Sequence, residues 1–310
     1  MHQRRSLVSA LIAGAAIALA LTGCNALFGR DVRLSDDAAV GGDARDAAST
    51  TPELCATPLP LCSQSAVPVA GDWDGNGTDT PGLFEDGRWC ITNQLKMGDV
   101  CIEQTWGAPG DLPLVGDWDG DGVDTPGTYR DLRWYLNDAD AAGKPADFSW
   151  GDPDIVPLAG DWDGLGHDSP GGAIEVAGTT AWTMTNHNAV SGNDHAFRWG
   201  SSNVTRLVGD WDGNGTHTPA WFRDGVWRFN NTHGDGPAML GFRWGNIGYV
   251  PLVGDWDGDG VDTVGLYRDG EWQLSNEHIN TLDGSDGPTA IITFRWGTDS
   301  SLLEQAAQAR

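Results

Sequence analysis

The sequence predicts an all-β fold, a five-bladed β-propeller of four-stranded antiparallel blades. Three observations carry that expectation. First, an apolar strand that runs into a loop of acids and glycines occurs five times. Its Gly-Asp-Trp-Asp-Gly core starts at Gly71, Gly116, Gly160, Gly209 and Gly254, at spacings of 45, 44, 49 and 45 residues. Tandem units of this length, each too small to cover both faces of its own sheet, are stabilised by stacking around an axis. Second, the 16 tryptophans keep register with the repeat. Third, short apolar runs alternate with Gly, Asp and Pro turns and show no helical period.

The second unit shows the grammar of a blade. Pro113 to Gly116 is the first strand, Asp117 to Asp124 the acidic loop and Thr125 to Arg130 the second strand. Arg133 to Asn137 is the third strand, Asp138 to Ala146 a polar loop and Asp147 to Gly151 the fourth strand. Strands two and three are joined by Asp-Gly at Asp86-Gly87, Asp224-Gly225 and Asp269-Gly270. That dipeptide suits the left-handed backbone of a tight hairpin turn. Unit two has Asp131-Leu132 instead, and unit three a longer Glu175 to Thr180 segment, so both are expected to depart from the pattern.

Trp73, Trp118, Trp162, Trp211 and Trp256 follow the first acid of each loop. Trp89, Trp134, Trp182, Trp227 and Trp272 fall in third strands, and Trp106, Trp150, Trp199, Trp244 and Trp296 end fourth strands. A residue repeated in register in every blade is expected to pack between blades. Trp221 alone falls outside these positions. Five complete units leave no strand to be exchanged between the ends, so the ring is expected to close by packing alone, helped by residues 52–66.

The N-terminus reads differently. Arg4 and Arg5 precede an apolar, alanine-rich run, and Leu21-Thr22-Gly23-Cys24 follows. A basic start, a short apolar stretch and a small-residue cleavage site read as a secretory signal over residues 1–23. The last four residues resemble the lipobox of bacterial lipoproteins. That resemblance implies acylation of Cys24, a lipid anchor in the cell envelope and, with Asn25 next, outer-membrane or cell-surface placement. Residues 24–60 lack periodicity and read as a disordered, flexible tether. Residues 61–298 carry the propeller, and 299–310 form a tail. Lipidation would leave Cys55, Cys62, Cys90 and Cys101, an even number that reads as two disulfides in an exported protein. Three pairings exist; Cys55–Cys62 with Cys90–Cys101 is favoured, the second joining neighbouring strands of a hairpin.

The acidic loops carry the chemistry. Oxygen ligands at loop positions 1, 3 and 5, with glycine at 6, have the spacing of a calcium loop. Unit two offers Asp117, Asp119 and Asp121; unit five offers Asp255, Asp257 and Asp259. Unit one has Asp72, Asp74 and Asn76, and unit four Asp210, Asp212 and Asn214. Unit three loses a ligand to Leu165. Gly-Asp-x-Asp-Gly-Asp-Gly between two apolar strands resembles the FG-GAP/VCBS repeats found in integrin α-subunit propellers. The resemblance spans residues 67–298 and implies structural calcium in these loops. One departure runs through all five units. The family's acid at position 9 is Thr or Ser here, and an acid stands at position 8 instead: Asp79, Asp124, Asp168 and Asp262, with His217 in unit four.

Function is bounded more than named. The formal net charge is −26, which disfavours nucleic acid, whose binding rests on cationic side chains. No nucleophile elbow, zinc-protease helix or phosphate loop is present. The expected function is a surface-anchored, non-catalytic binding or adhesion module with calcium-stabilised blades. Its partners would be the membrane, through the lipid, and an extracellular protein or glycan. The alternative is a lectin or carbohydrate-active enzyme. His187, His195, His233 and His278 fall in the long 3–4 loops and read as solvated surface residues.

Overall fold

The computed structural model describes residues 65–96, 101–137, 144–236, 240–279 and 287–297. The leader 1–23, Cys24, the tether 24–60, Cys55, Cys62 and the tail 299–310 lie outside them. No helix among the described residues is long and apolar enough to cross a membrane.

Among the described residues, nineteen strands form five antiparallel sheets. Blade one holds β1 (Val67–Gly71), β2 (Thr80–Glu85), β3 (Arg88–Ile91) and β4 (Ile102–Thr105). Blade two holds β5 (Leu112–Gly116), β6 (Thr125–Arg130), β7 (Arg133–Leu136) and β8 (Ala146–Ser149). Blade three holds β9 (Val156–Gly160), β10 (Ser169–Val176), β11 (Thr179–Met184) and β12 (His195–Arg198). Blade four holds β13 (Thr205–Gly209), β14 (Thr218–Arg223) and β15 (Val226–Phe229). Blade five holds β16 (Val250–Gly254), β17 (Thr263–Arg268), β18 (Glu271–Ser275) and β19 (Ile291–Arg295). Sequence neighbours pair in every sheet.

Blade four corrects the expectation of four full strands. Its outer edge is two bridges, Val226 to Arg243 and Phe229 to Leu240. Arg228 lies over Gly241 there, so close that a Cβ at Gly241 would meet its Cδ at 2.5 Å.

The hairpin turns are more uniform than their sequences suggest. Asp86-Gly87, Asp131-Leu132, Asp224-Gly225 and Asp269-Gly270 are left-handed at both residues, and so is Ala177-Gly178 in blade three. The longer third-unit segment therefore extends the strands to a Val176–Thr179 pair and keeps the two-residue turn. Leu132 adopts φ 67° without being glycine, a conformation that costs a bulky residue energy.

The innermost strands touch in the cyclic order β1, β5, β9, β13, β16 and back to β1. The core is accordingly divided into five clusters, each astride a blade junction. One joins Trp272, Phe294 and Trp296 of blade five to Leu83 and Cys90 of blade one. Another joins Trp227 and Phe242 of blade four to Val264 and Leu266 of blade five. The third-strand tryptophans are almost wholly buried. Each donates its Nε1–H to the carbonyl of the tryptophan ending its own blade, at 2.9 to 3.3 Å. The structure also joins Cys90 to Cys101, from β3 to the residue just before β4.

Candidate functional site

Each acidic loop is wound around its first aspartate. Asp117 Oδ1 accepts the N–H groups of Gly120 (2.8 Å) and Asp121 (3.1 Å), and Oδ2 that of Gly122 (2.8 Å). Asp255 repeats this with Gly258, Asp259 and Gly260. Position 5 then accepts from the amide two residues on, as in Asp121 with Val123 (2.9 Å) and Asn76 with Thr78 (2.8 Å). These are side-chain-to-backbone turns of the kind Asp and Asn favour. Leu165 cannot make one and is 73 % exposed.

Two of the loops gather a metal-like donor set. Asp117, Asp119 and Asp121 bring one carboxylate oxygen each to within 4.8 Å of one another, and Asp255, Asp257 and Asp259 do the same. Hard oxygens at that separation fit a calcium ion. The 3–4 loops reach these acids. His278 Nε2 lies 2.6 Å from Asp259 Oδ2, and Asn231 donates to Asp212 in blade four. His278 is therefore a surface residue, as expected, that also partners an acidic loop. Burial raises the carboxyls of Asp117, Asp210 and Asp255, and the loop amides oppose that rise.

The position-8 residue joins blades. The Asp124 N–H donates to the Asp72 carbonyl (2.8 Å), and Asp124 Oδ2 accepts the Asp72 N–H (2.8 Å). The same reciprocal pair links Asp168 to Asp117 and Asp262 to Asp210. His217 links to Asp161, its Nδ1 lying 2.9 Å from the Asp161 nitrogen. Finally Asp79 of blade one clamps Asp255 of blade five, at 2.7 and 2.9 Å. The ring therefore closes through hydrogen bonds and not by packing alone. The clamp also explains the motif's first glycine. A Cβ at Gly254 would lie 2.6 Å from Asp79 Oδ2, and one at Gly116 would lie 2.7 Å from Asp168 Oδ2.

The five position-8 side chains line a recess of about 310 Å³ to which every blade contributes. Burial, followed by the charges of neighbouring aspartates, holds Asp79 and Asp124 well above the usual carboxylate range. Burial pushes Asp168 up to about 6, against the pull of His217. Burial draws the His217 imidazole down. Its hydrogen bond to Asp262 and the charges of Asp168, Asp262 and Asp210 outweigh that and push it up to about 10. The two demands on this ring compete, because a neutral Nδ1 completes the clamp with Asp161 and a protonated one offsets the acids. The recess keeps some exposure: the side chains of His217, Asp168 and Asp262 retain 28 %, 15 % and 13 % of their surface.

His233 is half-buried, its Nε2 2.8 Å from the His217 carbonyl and its ring 4.5 Å from that of His195. His187 is exposed. Sequence reasoning missed the clamp, although one signal was available. Position 8 is Asp or His in all five units, and both side chains can accept a hydrogen bond.

No family model and no curated protein matches the chain. Among solved structures it is similar to an Agrocybe aegerita lectin that specifically recognises non-reducing terminal N-acetylglucosamine, at 13 % identity and TM-score 0.41, covering 76 % of this chain and 81 % of that one. It is also similar to BBS1N crystallised in complex with ARL6DN, at 12 % identity and TM-score 0.36, covering 70 % and 78 %.

Proposed function

We propose that this chain is a non-catalytic binding or adhesion module, held at the cell envelope by lipidated Cys24 and stiffened by calcium in its acidic loops. The observation that carries the binding reading lies on the face opposite those loops. Val67, Leu112, Val156 and Val250 open the innermost strands of four blades and are 40 to 49 % exposed. The strands they open ring the axis, and Ile247, three residues before Val250, is 78 % exposed. An exposed apolar ring on a strongly anionic protein is costly unless something covers it, and such patches mark interaction sites. The segments that precede these strands differ between blades, as a recognition surface requires.

Calcium belongs to the scaffold in this reading. The donor sets of loops two and five support it, as does the resemblance of the loop motif to FG-GAP/VCBS repeats. An ion bound only by the folded state stabilises by about 2.7 kcal/mol at a hundredfold excess over its dissociation constant. Millimolar calcium should therefore raise the melting temperature of the full chain, and chelator should lower it. Asp119→Ala with Asp257→Ala should remove most of the response. A melt that ignores both calcium and chelator rejects the structural ion. For the binding reading, Leu112→Ser with Val250→Ser should abolish capture of a partner from envelope extracts while the fold persists. Capture unchanged by that pair would move the binding surface elsewhere.

A further inference from the structure

A second cavity, of about 410 Å³, opens between blades three and four. Arg198 and Trp199 form one side of it, Trp221 and Arg228 the other, and Asp235 the rim. Trp221 is the tryptophan that breaks the repeat. The equivalent residues in the other blades are Leu83, Thr128, Gly172 and Leu266. Leu83, Thr128 and Leu266 plug the junction against Gly297, Gly107 and Gly245 of the preceding blade. Trp221 meets Gly200 in the same way but stays half-buried, with its indole lining the cavity.

The cations break the repeat as well. The residues equivalent to Arg198 are Thr105, Ser149, Arg243 and Arg295; those equivalent to Arg228 are Cys90, Tyr135, Thr183 and Gln273. Only the junction between blades three and four sets arginine against arginine. The chain has 18 basic residues against 44 acidic ones, yet neither arginine belongs to an ion pair among the described residues. Arg228 is held in place: its Nη1 donates to the Trp227 carbonyl (2.7 Å), and its guanidinium lies 5.9 Å from the Trp221 ring centre. Asp235 Oδ1 accepts the Arg198 backbone N–H (2.7 Å), which leaves Oδ2 for a guest. Thr179 Oγ1 donates to the Gly200 carbonyl (3.0 Å) and keeps its own acceptor capacity.

The geometry points to a binding site for the carboxylate-bearing sugar residue of an acidic glycan in this cleft. Two guanidiniums suit a carboxylate, which planar N–H forks grip in pairs. The indole offers an apolar wall to the ring. Asp235 and the Thr179 and Ser201 hydroxyls accept from or donate to sugar hydroxyls. A bare anion would use the arginines and leave the indole idle. The site rests on the binding-module reading and supplies it with a ligand class.

The full chain should be titrated with glucuronate-terminated and sialate-terminated oligosaccharides, their neutral counterparts and inorganic sulfate, following tryptophan fluorescence and heat. Acidic sugars should bind saturably, with the neutral ones about ten-fold weaker or more, the value of one good charge-assisted contact. Trp221→Leu installs the residue that blades one and five carry, so the fold is kept. It and Arg198→Gln should each weaken binding by about ten-fold. Equal affinity for neutral and acidic sugars, sulfate binding indifferent to Trp221→Leu, or no saturation by any acidic sugar in the millimolar range would each overturn the site. If some other ligand bound and Trp221→Leu left it unchanged, the module would stand and this cleft would not be its site.

Discussion

Replacing Asp79 at the seam of the ring separates two things its carboxyl does. It accepts the Asp255 N–H at 2.9 Å, and it is a buried acid facing the charges of Asp124 and Asp262. Asp79→Ala removes the acceptor and strands a part-buried amide, which costs about 1 to 3 kcal/mol. Part of that loss is offset, because the substitution also removes a buried acid whose ionised form burial and those neighbouring charges disfavour. Asp79→Asn keeps an acceptor at the same place without a charge. The asparagine variant should therefore equal or exceed the parent in stability, while the alanine variant falls below it. Urea unfolding at pH 7.5 with chelator present reads both midpoints. The reasoning is refuted if asparagine destabilises as much as alanine, or if alanine costs nothing.

Three further outcomes follow from the same geometry. Gly254→Ala places a methyl 2.6 Å from Asp79 Oδ2 and should lower stability by about 1 to 3 kcal/mol, as overpacking does; Asp79→Ala in the same chain should relieve part of that, read as a double-mutant cycle. The folded-state values of Asp168 (about 6) and His217 (about 10) lie above the ordinary 3.8 and 6.5. The native state thus holds more protons, and its stability should fall as pH rises from about 4 through 6 and again from about 6.5 toward 10. Melts of the chelated protein across that range check the sign, and Asp168→Asn should flatten the acid limb. Reduction of Cys90–Cys101, 11 residues apart, should cost about 3 kcal/mol by loop entropy, seen as a lower urea midpoint in reductant.

Much of this architecture could be read from the chain because it is local and repeated. The Gly-Asp-Trp-Asp-Gly core, the hairpin dipeptides and the tryptophan register each recur about every 45 residues, so one unit interprets the next. Asp131-Leu132 looked like a departure only because leucine rarely takes a left-handed backbone; the flanking strand pairs impose it. The outer edge of blade four pairs with β15 only at Val226–Arg243 and Phe229–Leu240, an interruption that no pattern of polarity reveals. The position-8 acids were legible as a departure from a calcium repeat but not as clamps. Each acts on a residue of another blade, 52 positions away for Asp124 and Asp72 and 176 for Asp79 and Asp255. Only ring geometry brings such pairs together. The cleft at Trp221 is intermediate: the odd tryptophan stands out in the sequence, but its arginine neighbours come from two blades.

The most direct test is native-state hydrogen exchange at the amides of Asp72, Asp117, Asp161, Asp210 and Asp255, the donors of the five clamps. These residues head loops that are largely exposed, so without the clamps their amides would exchange as loop amides do. The clamped ring predicts that the four amides that donate to aspartate are protected to the level of the innermost strands and open with them in one cooperative unit, while the Asp161 amide joins them only where the His217 ring is neutral. Exchange of those four amides at the rate of the exposed loop tips, in a protein whose strands remain protected, would contradict it.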